Sequence, residues 1–67
     1  AEKYLRRAVE LMPDDPIVND HYGDVLWQLD RKLQAKYFWQ HVLELDDTED
    51  EMKKDIEIKL FDGPKKI

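Results

Sequence analysis

An all-α fold of about four helices is what this sequence predicts, and three observations carry the prediction. Apolar residues recur at +3 and +4 spacing throughout and nowhere alternate, which is the pattern of helices with one buried face. Helix start and stop residues divide that pattern at about 1–12, 16–29, 32–46 and 49–61. The chain also matches itself when shifted by 34 residues, so one supersecondary unit is used more than once.

The first helix places Ala1, Leu5, Ala8 and Leu11 on one face and is expected to stop near Met12, because Pro13 is disfavoured beyond it. Asp14-Asp15-Pro16 then supplies an N-cap aspartate and a proline preset for the first helical position. The second helix buries a stripe of Val18, Tyr22, Val25, Leu26 and Leu29. In the connection Asp30-Arg31-Lys32, Asp30 tolerates the left-handed conformation that a tight helix-helix turn needs. The third helix turns Leu33, Ala35, Phe38, Trp39, Val42 and Leu45 inward. Thr48 followed by Glu51 forms a capping box that opens the fourth helix. Asp62-Gly63-Pro64 ends it, with Gly63 as a left-handed cap and Pro64 as the barrier beyond, and the tail to Ile67 is expected to fray.

The 34-residue shift sets Ala1 on Ala35, Tyr4 on Phe38, Leu5 on Trp39, Ala8 on Val42 and Leu11 on Leu45. It also sets Val18 on Met52, Tyr22 on Ile56, Leu26 on Leu60 and Trp27 on Phe61. Two helices per unit, with Tyr22-Gly23, Leu26, Ala35 and Trp39 at matching spacing, resemble the tetratricopeptide repeat (TPR) family. Asn19 stands where that family usually has a bulky apolar residue, and Asp47 where it has proline. The wording NDHYGDVLWQL is similar to the C-terminal end of longer bacterial members.

The resemblance implies antiparallel helix hairpins stacked as a solenoid. It divides 1–67 into the second helix of a preceding repeat (1–15), one complete repeat (16–49), a C-terminal capping helix (50–62) and a tail (63–67). It also accounts for Gly23, which costs roughly 1 kcal/mol against alanine inside a helix. The family places that small residue where two antiparallel helices touch, so Gly23 is expected to face the third helix. Its equivalent, Glu57, is charged, as suits a cap on which no further helix packs.

Composition excludes several function classes. Sixty-seven residues bury only a modest core, and with no cysteine neither a disulfide nor a thiolate metal site reinforces it. A net charge of −5 disfavours nucleic acid and anionic membranes. No apolar run approaches the ~18 residues that span a bilayer. A start at Ala1, without Met or a leader, predicts a soluble segment cut from a longer chain, with cytoplasm and cell envelope both open. His21 and His41 show no ligand spacing, and no nucleophile accompanies the many acids, so no metal, cofactor or enzymatic activity is expected.

What the resemblance implies instead is a non-catalytic protein-interaction scaffold whose concave face, lined by first helices, takes an extended peptide. Carried onto this chain, that face is Ile17, Asp20, Asp24, Trp27 and Gln28. Two aspartates beside an aromatic and an aliphatic residue favour a basic, partly apolar protein segment. They would repel the acidic C-termini gripped by carboxylate-clamp members. The run Asp46-Asp47-Thr48-Glu49-Asp50-Glu51 reads either as a docking patch for a basic partner or as acids favoured at a helix N-terminus. Two alternatives stand beside this reading. One is a structural cap of a longer solenoid; the other is a homo-oligomer formed through Tyr4, Leu5, Val9 and Met12 on the first helix.

Overall fold

The computed structural model describes residues 2–64 and contains four helices: α1 (Glu2–Leu11), α2 (Pro16–Gln28), α3 (Lys32–Glu44) and α4 (Asp50–Asp62). The described residues include no strand, so the fold is all-α. Every helix end lies within two residues of its predicted position. Ala1 and residues 65–67, where an inward side chain and a frayed tail were expected, lie outside the described residues.

Local chemistry sets most of these ends. Asp15 Oδ1 accepts the backbone N–H of Val18 at 3.1 Å, and Pro16 occupies the first helical position. Asp30 takes φ 63°, the Arg31 N–H donates to the Leu26 carbonyl at 2.9 Å, and the Asp30 N–H donates to that of Trp27 at 3.0 Å. This is a Schellman closure with aspartate in the position glycine usually holds. The expected capping box at Thr48 does not form. Thr48 is buried and its hydroxyl donates back to the Val42 carbonyl at 2.6 Å, while Glu49 stands at the N-cap of α4 without a side-chain bond. The hydroxyl serves the end of α3 because the chain between the helices folds it inward onto the Val42 carbonyl, which also accepts the Leu45 N–H at 3.2 Å.

Packing runs between sequence neighbours, α1 on α2, α2 on α3 and α3 on α4. Along the α2–α3 pair, Asp20 meets Trp39, Tyr22 meets Phe38, and Trp27 meets Lys32, so the two helices are antiparallel. The core is Tyr22, Leu26, Ala35, Trp39, Val42 and Ile56, with Leu5, Val9, Phe38, Met52 and Leu60 packed around it. Gly23 faces α3 as expected: a Cβ on it would lie 2.6 Å from Trp39 Cδ1, so the indole rests on bare α2 backbone. There the ring N–H donates to the Asp20 carbonyl at 3.3 Å.

Three residues expected inside are exposed: Leu11, Leu29 and Leu33, the last at 85%. All three sit at helix ends, where the apolar periodicity continues past the point at which neighbouring helices cover it. Asn19 shows the reverse, a polar residue that is 1% exposed. Its amide donates to the carbonyls of Pro13 at 3.0 Å and Asp15 at 2.8 Å, tying the α1–α2 turn to α2 and explaining the missing apolar residue. At the other end of α1, the Tyr22 hydroxyl donates to Glu2 at 3.0 Å and Arg6 to the same carboxylate at 3.2 Å. The Tyr22 bond first, and then Arg6, hold the Glu2 carboxyl below its ordinary pKa.

Candidate functional site

Helices α2 and α4 correspond under the 34-residue shift, and an open groove of about 640 Å³ runs between them. From α2 it receives Asp20 and Asp24, one turn apart on one face. From α4 it receives Glu51, Asp55 and Lys59, again at one-turn spacing, together with the apolar side chains of Met52 and Ile58. Glu49 lies at one end, Gly63 and Pro64 at the other.

Lys59 joins the two walls. Its ammonium donates to Asp20 Oδ1 at 2.7 Å and to the two Asp24 oxygens at 2.9 and 3.1 Å, and it lies 5.7 Å from the Trp39 ring centroid. Partial burial works against the charge, but the Asp20 and Asp24 hydrogen bonds outweigh it and raise the Lys59 pKa above the ordinary lysine value. The groove therefore carries, among the described residues, five carboxylates and one ammonium. Among the described residues no cation lies within ion-pair distance of Glu49, Glu51 or Asp55. The result is a negative rim beside an apolar strip of Met52, Ile58 and Pro64.

Gly63 closes one end. Its backbone, at φ 80° and ψ 169°, occupies a region that side chains essentially forbid, and a Cβ there would lie 2.7 Å from Trp27 Cζ2. Trp27 is thus seated between Gly63 and Trp39, 5.6 Å from the latter's centroid, with the Lys32 ammonium 5.1 Å from its own ring.

Of the five residues expected to form the binding face, the groove contains Asp20 and Asp24, both already paired with Lys59. Trp27 is half-buried against Gly63 outside the groove lining, while Ile17 and Gln28 are exposed and also outside it. Sequence reasoning missed the α4 wall of Met52, Asp55, Ile58 and Lys59. Of these, the 34-residue shift signals Ile58, the equivalent of Asp24, whereas Met52, Asp55 and Lys59 correspond to Val18, His21 and Val25, outside the expected face. The acidic run divides, Glu49 and Glu51 facing the groove while Asp46 and Asp47 line a smaller concavity with Asp14 and Glu44. On α1, Leu5 and Val9 pack against the core, which leaves Tyr4 and Met12 exposed from the face expected to self-associate.

No helix among the described residues is long and apolar enough to cross a membrane. No protein-family model matches the chain, and no curated protein or solved structure matches it either.

Proposed function

We propose that this chain is a non-catalytic protein-interaction module of the TPR type, whose α2–α4 groove takes a basic, partly apolar segment of a partner protein. The observation that carries this reading is that Glu49, Glu51 and Asp55, with no cation at ion-pair distance among the described residues, share one opening with the apolar Met52, Ile58 and Pro64. Opposite charge steers and orients such a segment, and the apolar strip holds it once water is excluded. The repeat supports the same reading, because the two walls are the equivalent helices that line the concave face in that family.

The test is a titration with a short peptide alternating arginine and leucine, beside its glutamate–leucine counterpart, at low and high salt. Binding of the first alone, weakened by salt and lost in Asp55→Lys, is expected. Equal binding of both peptides, or indifference to Asp55→Lys, would contradict it. A role as the terminal cap of a solenoid is favoured by Glu57, exposed on α4 where its equivalent Gly23 packs beneath Trp39. Against it stands Phe61 on the same helix, 89% exposed, since a cap needs a polar outer face.

A further inference from the structure

Lys59 is the sole cation lining the groove among the described residues, yet it does not offer its charge to the opening. The ammonium turns onto α2 and its side chain is only 20% exposed. It could be a strut that holds α4 in place, but α4 is anchored without it. Ile56 is fully buried, Met52 and Leu60 pack against the core, and Gly63 seats on Trp27. A part-exposed ion pair adds little to such an anchor.

What the contact does accomplish is to fill the two α2 carboxylates with a cation. Asp20 and Asp24 present their oxygens to one point beside the Trp39 ring, and that point holds an ammonium. Resting on the groove reading above, we infer that Lys59 is an internal stand-in for a partner's cation: it occupies Asp20 and Asp24 in the free protein and yields them to an arginine of the bound segment.

The exchange is chemically balanced. A guanidinium carries five donors in a planar fork, is less strongly hydrated than an ammonium, and stacks on aromatic rings, so it fits two carboxylates beside Trp39. The displaced Lys59 ammonium has Asp55, one turn earlier on its own helix, to pair with. No charge is left stranded. Occupation by Lys59 lowers the apparent affinity of any ligand by the fraction of time the pair is free. An arginine-bearing segment, whose planar fork can engage both carboxylates at once, is the kind best able to offset that loss.

The arginine–leucine peptide is titrated into the wild type, Lys59→Met and Lys54→Met. The last variant removes an equal charge from an exposed position of α4 outside the groove lining. Lys59→Met should tighten binding about three- to sixfold, and Lys54→Met by less than about twofold, because only the first frees the aspartate pair. In the wild type the Lys59 ammonium resonance should move when the peptide is added. Equal gains from the two variants, or an unmoved Lys59 resonance at saturation, would overturn the inference while the groove reading stands. Absence of binding in all three proteins would overturn both. Should Lys59→Met fail to fold by circular dichroism, the resonance of the wild type decides alone.

Discussion

Helix α2 faces α3 and α4 in opposite ways. Toward α3 it forms a sealed seam, in which Gly23 lets the Trp39 ring lie on the backbone and donate to the Asp20 carbonyl. Toward α4 it forms an open groove, in which Asp20 and Asp24 are bridged by Lys59 and only the far end is closed, by Gly63 on Trp27. The difference comes from residue size and charge within two turns of one helix. A missing side chain lets α2 and α3 touch, whereas α2 and α4 meet through the Lys59 bridge with the groove open beside it. One side of α2 supplies stability, and the other is the side on which we propose that a partner segment binds.

The largest test of that contrast is Gly23→Leu. Even a Cβ collides with Trp39 there, so overpacking should destabilise by about 3 kcal/mol, the upper end of the usual range. A domain of this size has roughly 3–10 kcal/mol to lose, so the urea midpoint should fall sharply. An unchanged midpoint would mean that the seam is not sealed as described. Gly63→Ala is next. It forces an alanine into a backbone region reserved for glycine and pushes on Trp27, for an expected loss of about 1–3 kcal/mol. Tryptophan emission should shift to the red as the groove's closed end opens; an unaltered spectrum would separate Gly63 from Trp27.

The smallest effect belongs to Lys59→Met, about 1 kcal/mol or less for a partly exposed pair. Its pH dependence is the sharper reading. The Lys59 pKa is raised in the folded protein, so the stability it supplies is complete below the ordinary lysine value of about 10.4 and lost as pH rises through the higher folded value. The stability gap between wild type and Lys59→Met should therefore hold up to about pH 10 and close above it. A gap that survives full deprotonation would show that the methylene stem, not the charge, is responsible.

The sealed side was legible in the sequence and the open side only in half. Asp15, Pro16 and Asp30 act within a turn of their own position, so their chemistry fixes helix ends wherever the chain goes. The resemblance to a known repeat supplied the one long-range expectation, Gly23 against the third helix, and Trp39 as the side chain it meets there is visible only in the fold. Thr48 was misread because a threonine three residues before a glutamate satisfies the capping pattern, while the buried Val42 carbonyl that wins its hydroxyl lies six residues back on another helix. Asn19 broke the apolar pattern for a reason visible only once the Pro13 carbonyl faces it. The aspartates of the groove could be found from α2 alone. Lys59 could not, since it lies 39 residues from Asp20 and nothing local distinguishes it from Lys53 or Lys54.

The most direct test of the central claim is a residue-by-residue map of amide shifts as the arginine–leucine peptide is added to the isotope-labelled protein. The account predicts that the largest shifts fall on Met52, Asp55 and Ile58 of α4 and on Asp20 and Asp24 of α2, with Tyr4, Leu11, Leu33 and Tyr37 unmoved. Shifts concentrated on those exposed apolar residues, with the groove silent, would contradict it and place recognition elsewhere on the helices.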